Sequence, residues 1–283
     1  MRLEKNFQLV DYNSYKIRSL ASLALFPESN EELKDCFVKY PDAIIWGGGN
    51  NIILSKSHYK NPIIFIRDNL KKINILGNQI EVQAGLQMFE LSNILLKSEL
   101  AGFESFCDIP GCIGGGIIMN AGTGDDQISN HLISVTAFDK ETNKFLKFAK
   151  SECEFDYRNS IFKNNNALIV ISAVFQFESG NYNSIKYKMD TIRETRHSKQ
   201  PIEFPNAGSV FKRPDGYYVG TMIESLGLKG YSIGDAQVSE KHAGFIINKG
   251  NATGDDILKL ISHIQLLIFN QYNVHLELEQ III

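Results

Sequence analysis

The stretch that most limits how this chain can fold is Ile109–Gly124, where six glycines are interleaved with apolar residues around a central Ile117-Ile118-Met119. A solvated linker is polar and Gly/Ser-rich throughout. Glycines that bracket β-formers instead shape a main chain that must approach something closely. With no Cβ in the way, consecutive backbone N–H groups can face a phosphate or a ring edge, and Asn120 adds a donor and an acceptor beside them. A second run of the same kind, Ile44-Ile45-Trp46-Gly47-Gly48-Gly49-Asn50-Asn51-Ile52-Ile53-Leu54, reads as strand, glycine turn, strand. Either run alone is a tight turn between buried strands, the commonest use of clustered glycine. The pair together points to one extended flat or anionic ligand.

With 283 residues, 43% of them hydrophobic, the chain is long enough for two or three compact units with a sizeable core. Its net charge of −3 argues against nucleic acid or an anionic membrane surface as the main partner, since either calls for a basic field. No apolar stretch reaches the roughly 20 residues that span a bilayer, and Met1-Arg2-Leu3-Glu4-Lys5-Asn6 leads into no apolar block of signal-peptide length. A cytoplasmic location is the expectation. Cys36, Cys107, Cys112 and Cys153 have neither metal-ligand spacing nor the density of a disulfide scaffold, so they read as reduced, buried residues, and no metal is expected.

In chain order, Asn13-Ser14-Tyr15-Lys16-Ile17 is a short β-prone piece in an otherwise patternless start. Ser29-Asn30-Glu31-Glu32 is a capping box that opens a helix through Leu33, Cys36, Phe37 and Tyr40. Strands are expected around the first glycine turn and at 62–66, and polar residues near Arg67–Lys72 mark a boundary. A middle, strand-rich unit follows: a half-buried strand at 79–84, a helix carrying Met88, Leu91, Ile94 and Leu95, the second glycine run, and strands at 132–138, 145–148 and 168–177. A third unit starts near Asn181 with a helix whose far end is basic at Arg193, Arg196 and Lys199 before Pro201 stops it. The last helix is capped by Thr253, favoured at its start by Asp255 and Asp256, and striped by Ile257, Leu260, Ile261, Ile264, Leu267 and Ile268. Val274–Ile283 alternates and is expected to return as a strand.

There is no G-x-G-x-x-G opening a helix, no P-loop, no H-E-x-x-H and no G-x-S-x-G, so Rossmann-type dinucleotide binding and serine hydrolysis are unsupported. What stands out is a set of polar residues in glycine-rich or apolar surroundings: Arg158, Arg196, Lys199, Ser209, Lys212 and Glu279. Each has two readings. Ser209 is a turn serine bonded to its own backbone or a presented hydroxyl. Arg196 and Lys199, three apart on one helical face, complement the helix dipole or clamp a phosphate. Glu279, on the same side of its strand as Glu277, is an edge carboxylate or a catalytic one. Arg158 forms a structural salt bridge or holds a ligand, and His242 is a satisfied turn residue, or else a ligand or base.

In order and spacing, these motifs resemble the UDP-N-acetylenolpyruvoylglucosamine reductase (MurB) family of flavoenzymes, in its shorter type. The resemblance rests on Gly47-Gly48-Gly49-Asn50-Asn51, the Ile109–Gly124 run, Tyr157-Arg158-Asn159-Ser160-Ile161-Phe162-Lys163, Arg196-His197-Ser198-Lys199-Gln200-Pro201, Asn206-Ala207-Gly208-Ser209-Val210-Phe211-Lys212, Ser239-Glu240-Lys241-His242-Ala243 and the Leu-Glu-x-Glu that ends at Glu279. It implies an α+β chain. An FAD-binding fold of the vanillyl-alcohol-oxidase (PCMH) type would occupy two subdomains, 1–67 and 68–180, and a C-terminal α/β substrate-binding domain would occupy 181–283, its last strand returning to the active site. It implies non-covalent FAD held by Gly47, Gly48, Gly49, Asn50, Asn51, Ile52, Pro110, Gly111, Gly114, Gly115, Asn120, Ala121 and Gly122. NADPH would be the electron donor.

The implied reaction is reduction of UDP-N-acetylglucosamine enolpyruvate to UDP-N-acetylmuramate in peptidoglycan precursor synthesis. Arg158 and Glu279 match the pair that stabilises the developing aci-carboxylate, and Ser209 matches the proton donor. Arg196 and Lys199 match the substrate-binding pair, with Lys212, Arg213 and His242 as further substrate contacts. The implied partner is a UDP-sugar, with no nucleic acid or membrane, and the expected state is a monomer or weak homo-oligomer. Arg18-Ser19 and Gly124 depart from the family pattern beside the cofactor, and Arg213 stands where asparagine is common. The segment between Lys163 and Arg196 is too short for the tyrosine-bearing loop of longer members. An oxidase of the same fold and a non-catalytic flavin-binding module are the alternatives.

Overall fold

The computed structural model of the chain describes residues 1–67 and 69–283. The boundary expected near Arg67–Lys72 takes in Asp68, which lies outside the described residues. The chain divides into two compact units, one made of Met1–Lys5, Leu23–Gly48 and Asn61–Thr195, the other of Asn6–Ser22, Gly49–Lys60 and Arg196–Ile283.

In the first unit, Ala24 and Leu25 pair in parallel with Ile63 and Ile64, which pair on their other side with Ile44 and Ile45. These strands read as continuous apolar runs because a parallel sheet is buried on both faces, and Ile63, Ile64 and Phe65 are all buried. Helix α1 (Asn30–Lys39) starts where its capping residues put it: Ser29 Oγ accepts from Glu32 N–H at 3.1 Å, and the Glu32 carboxylate accepts from Glu28 N–H at 2.8 Å. It buries Leu33, Cys36 and Phe37.

The second sheet of this unit is antiparallel, ordered Lys144–Ala149, Leu132–Asp139, Leu168–Gln176, Gln79–Gln83, Ile73–Leu76. The outer strand Ile73–Leu76 was not expected, because its exposed positions leave no alternation to read. Helix α2 (Met88–Lys97) takes the expected place, burying Met88, Leu91 and Leu95. The second glycine run is not extended: Ile113–Ile118 forms a short helix, α3. Its β-formers Ile113 and Ile117 are four apart and wholly buried, so core packing overrides the propensity of three consecutive glycines.

The chain's first dozen residues also depart from expectation. Arg2–Gln8 is a strand, largely exposed and therefore without pattern. Asn13–Ile17 is irregular instead of extended, because the buried Asn13 amide takes over the pairing: it donates to Leu9 O and Ile17 O at 2.8 and 3.0 Å and accepts from Ile17 N–H at 2.9 Å. All four cysteines are free and buried, and burial pushes the Cys36 and Cys153 thiols up to about 11.

In the second unit, Ser232–Ile233, Ala236–Val238 and Ile246–Asn248 form an antiparallel sheet, with helices α6 (Val219–Ser225) and α7 (Gly254–Tyr272). Helices α4 (Ile161–Asn164) and α5 (Tyr182–Lys199) precede them in the chain. At the start of α7, Thr253 Oγ1 accepts from Asp256 N–H at 3.2 Å while the Asp256 carboxylate accepts from Thr253 N–H at 2.8 Å. A Cβ on Gly254, the first residue of α7, would lie 1.7 Å from Leu54 O. Gly254→Ala is therefore expected to destabilise this unit by about 1–3 kcal/mol, because backbone must move to admit one methyl; a lower urea midpoint with an unchanged slope checks it.

The C-terminal segment is only partly the strand expected. It pairs as strand at Ile281–Ile282, parallel to Ile52–Ile53, and makes a single bridge from Leu278 to Phe211. It changes partner on the way: Glu279 N–H donates to Val210 O, and Ile281 N–H to Asn51 O, both at 2.9 Å.

Candidate functional site

Ser209 stands at the start of a short extended segment held on both sides. On one side Ser209 bridges to Phe245 and Val210 N–H donates to Gly244 O at 3.1 Å. On the other, Glu279 N–H donates to Val210 O and Lys212 N–H to Glu277 O, each at 2.9 Å. The hydroxyl and the Glu279 carboxyl, 70 residues apart in sequence, thus belong to adjacent extended segments of one unit. Ser209 is exposed and Glu279 half-buried, while Val210 between them in the packing is 1% exposed.

The turn that delivers Ser209 is built from side-chain amides. Gly208 has φ +79, a left-handed backbone that favours glycine, and its N–H donates to Asn206 Oδ1 at 3.1 Å. Asn206 Nδ2 donates in turn to Pro201 O and Phe204 O at 3.1 and 2.9 Å. From below, Gln280 Nε2 donates to Ala207 O and Gly208 O at 3.1 and 3.2 Å, and its Oε1 accepts from the buried Tyr15 hydroxyl at 3.0 Å.

The first glycine turn continues into the same unit from Gly49, which has φ +69. Gly49 O accepts from Ser14 N–H at 3.0 Å, Asn50 Nδ2 donates to Ser14 Oγ at 2.7 Å, and Asn51 Nδ2 donates to Glu279 O at 3.0 Å. The turn and the Glu279 segment are therefore tied by the Asn51 side chain, which holds the Glu279 carbonyl, and by the Asn51 carbonyl, which accepts from Ile281 N–H.

Among the basic residues, Arg196 and Lys199 occupy the last turn of α5, half-buried and exposed respectively. Lys212 Nζ reaches Glu277 Oε2 at 2.9 Å along the paired segments. The Arg213 guanidinium lies 3.9 Å from the centroid of the Tyr218 ring, with Nε donating to Tyr217 O at 3.2 Å. His242 Nδ1 accepts from Gly244 N–H at 3.1 Å, so the neutral ring carries its proton on Nε2. Burial holds this imidazole below the usual histidine range.

In the first unit, the second glycine run lies along residues 84–88: Met88 N–H donates to Gly111 O, Ile113 N–H to Leu86 O and Gly114 N–H to Ala84 O, all at 2.9 Å. Its glycines divide by use. A Cβ on Gly114 would meet Ala84 Cβ at 2.9 Å, one on Gly116 would meet Met88 Sδ at 3.0 Å, and one on Gly122 would meet Asp126 O at 2.2 Å. A Cβ on Gly115 would meet nothing within 4 Å, and the same holds for Gly47 in the first turn. The three close contacts serve packing, whereas Gly115 and Gly47 leave main chain facing open space.

The side chain of Asn120, with φ +42, is taken up internally. Its Nδ2 donates to Gln127 Oε1 and Asp156 O at 2.9 and 3.0 Å, and its Oδ1 accepts from Ser129 N–H at 3.3 Å. Pro110 is exposed and Ala121 half-buried beside these residues.

Arg158 sits in the same unit, in a tight loop where Asp156 and Asn159 exchange N–H···O bonds at 3.2 and 3.1 Å. It takes the left-handed conformation, φ +53, which costs a non-glycine residue of order 1 kcal/mol and is concentrated at functional positions. Its Nη2 donates to Gly122 O at 2.9 Å, Lys163 Nζ donates to its carbonyl at 3.0 Å, and its guanidinium lies 5.2 Å from the Tyr157 ring centroid.

Of the residues singled out from sequence, the second unit brings together Ser209, Glu279, Lys212, His242 and the Asn50-Asn51 turn. The first holds Arg158, Gly47, Gly48 and the second glycine run. Sequence reasoning passed over Gln280 and Tyr15. The available signal was a glutamine directly after Glu279 at an inward position of an otherwise apolar strand.

Residues 21–147 match the family model described as FAD binding domain, and residues 200–283 match that of the UDP-N-acetylenolpyruvoylglucosamine reductase, C-terminal domain. A UDP-N-acetylenolpyruvoylglucosamine reductase of Francisella tularensis is 41% identical, over 99% of this chain and 100% of its own length. One of Fervidobacterium nodosum is also 41% identical, over 97% and 89%. Among solved structures, UDP-N-acetylenolpyruvylglucosamine reductase from Thermus caldophilus superposes with a TM-score of 0.85 at 27% identity, covering 100% of this chain and 99% of that one.

Proposed function

The chain belongs to the UDP-N-acetylenolpyruvoylglucosamine reductase family, and from that premise we propose that Arg158, Ser209 and Glu279 carry its reaction. It is a flavin-dependent oxidoreductase, reducing UDP-N-acetylglucosamine enolpyruvate to UDP-N-acetylmuramate at the expense of NADPH, a step of peptidoglycan synthesis. Its fold is α+β, with an FAD-binding region and a C-terminal reductase domain.

The residues present fit FAD. The open main chain at Gly47 and Gly115 leaves room for a flat group, where side chains on neighbouring glycines would collide with protein. Gly47, Gly48, Gly49, Asn50, Asn51 and Ile52, with Pro110, Gly111, Gly114, Gly115, Asn120, Ala121 and Gly122, would hold it, Asn120 by keeping the loop in shape. The chemistry that FAD supplies when bound is hydride transfer, from NADPH to the β-carbon of the enolpyruvyl group.

The chain's own residues do the rest. Addition at the β-carbon leaves charge on the substrate carboxylate, which Arg158 neutralises with a charged fork. Glu279 is assigned to the enolic oxygen, a hydrogen bond that its carboxyl can donate only when it carries the proton. Ser209 gives its hydroxyl proton to the α-carbon: the O–H bond breaks, a C–H bond forms, and the serine is reprotonated from solvent. A hydroxyl is a weak acid, so a neighbouring cation eases the transient alkoxide; Lys199 suits this better than Lys212, whose ammonium is engaged by Glu277. Arg196, Lys199, Lys212, Arg213 and His242 bind the UDP-sugar, Arg196 and Lys199 through its phosphates and carboxylate. The enzyme works in the cytoplasm, as a monomer or weak homo-oligomer, without nucleic acid. Among the described residues no helix is long and apolar enough to cross a membrane.

The observation that carries this reading is the Glu279 N–H to Val210 O bond at 2.9 Å, which registers the carboxylate segment against the serine segment. The purified protein is expected to be yellow, to be bleached by NADPH, and to regain its absorbance on adding UDP-N-acetylglucosamine enolpyruvate. Bleaching with no recovery would remove the assigned substrate.

A further inference from the structure

We propose that Gln280 is a positioning residue, setting the Ser209 hydroxyl relative to Glu279 through the two carbonyls of the turn that precedes the serine. The inference rests on reading Ser209 as the proton donor.

Glu279 and Gln280 lie in a bend between the Leu278 bridge and the strand Ile281–Ile282, and Gln280 is 3% exposed whereas Glu279 is half-buried. Its amide orientation is dictated by its partners. Ala207 O and Gly208 O can only accept, so the NH2 group must face them, at 3.1 and 3.2 Å. That leaves Oε1 toward the Tyr15 hydroxyl at 3.0 Å, which must donate. Burial raises the Tyr15 phenol well above its usual range, which keeps that donor protonated. Asn248 continues the chain of contacts. Its N–H donates to Pro205 O at 2.9 Å and its Nδ2 to Tyr15 O at 2.8 Å, while its Oδ1 accepts from Gly250 and Ala252 N–H at 2.9 Å each.

One buried side chain therefore spans the gap between the residue after Glu279 and the two residues before Ser209. No apolar residue can do this, because both carbonyls would lose the amide that holds them together. Asparagine is one methylene too short to reach both carbonyls and Tyr15. Proton delivery to carbon tolerates little misplacement, so loosening the turn should slow protonation while leaving binding and flavin reduction in place.

The test is stopped-flow kinetics of full-length, FAD-loaded protein, with the two half-reactions measured apart. Gln280→Met is expected to slow reoxidation by UDP-N-acetylglucosamine enolpyruvate by about 10- to 100-fold. The NADPH-driven rate and the KM for the UDP-sugar should each stay within about threefold. Hydrogen exchange of segment 206–211 should quicken while that of α7 does not. In a Ser209→Ala background the same substitution should cost less than about twofold, since residues acting as a unit are not additive. Tyr15→Phe, which keeps both glutamine donors, serves if Gln280→Met does not fold, with reoxidation expected to fall about three- to tenfold. If Ser209→Ala reoxidises at the wild-type rate, the reading of the site fails and this inference with it. If Ser209→Ala is slow but the Gln280 and Tyr15 variants are not, or they slow both half-reactions equally, this inference alone fails.

Discussion

Replacing Ser209 with alanine is expected to slow reoxidation of the reduced protein by about 10²- to 10⁴-fold, the range over which a positioned proton donor contributes. NADPH should still bleach the flavin at a near wild-type rate. The asymmetry follows from what the hydroxyl does, since nothing in flavin reduction asks for a proton at the substrate α-carbon. Stability should scarcely move: Ser209 is exposed, and its segment is held by main-chain bonds from Val210, Lys212 and Glu279 that alanine keeps. Stopped-flow absorbance with NADPH, followed by a second mix with the enolpyruvyl substrate, measures both rates on one sample. Equal loss in both halves would point to a disturbed cofactor and remove Ser209 from the proton step.

The second large effect concerns Gly115. A leucine there meets no protein atom at its Cβ and sits in a helix, where replacing glycine gains about 0.5–1 kcal/mol of intrinsic propensity. The apoprotein should therefore melt no lower than wild type, and higher if the propensity gain is realised. FAD affinity should fall about 10- to 100-fold, because the side chain takes volume that the cofactor needs, an overpacking penalty of about 1–3 kcal/mol. Gly114→Ala is the internal control: its Cβ would lie 2.9 Å from Ala84 Cβ, so it should lower the melting temperature of the apoprotein as well. Titration of apoprotein with FAD, followed by flavin fluorescence, and thermal melts without FAD separate the two. If Gly115→Leu binds FAD as wild type does, α3 is not part of the cradle.

How much of this was legible in the sequence depended on whether the information was local. Helices α1 and α7 were plain because caps and apolar stripes reside in neighbouring residues, and the structure keeps both Ser29 and Thr253 as caps. Strands 132–139 and 168–176 declared themselves by buried runs. Helix α3 did not, since three glycines between isoleucines look extended until the packing of Ile113 and Ile117 decides otherwise. The strand at Arg2–Gln8 was invisible because an exposed strand has no hydrophobic face to alternate with. Ser209 and Glu279 stood out in the sequence as polar residues in glycine-rich or apolar surroundings, and the structure sets them on neighbouring segments of one unit. The Gln280–Tyr15 brace was not legible, because its partners lie 265 residues apart and only a folded chain shows that an inward glutamine is satisfied.

The parallel pairing of Ile281–Ile282 with Ile52–Ile53 also bears on how this protein is made. A ribosome releases residues 52–53 long before it polymerises residues 281–282, so one of the two units cannot lock its final β-ladder during most of elongation. Until then the Asn50-Asn51 turn lacks the Glu279 carbonyl it will hold, across a separation of 228 residues. Closing so long a loop is slow. The ladder between 52–53 and 281–282, and the Asn51 contact to the Glu279 carbonyl, therefore form only once the chain has been made as far as residue 282, so the first glycine turn waits on residues 228 and more positions downstream for its final partners.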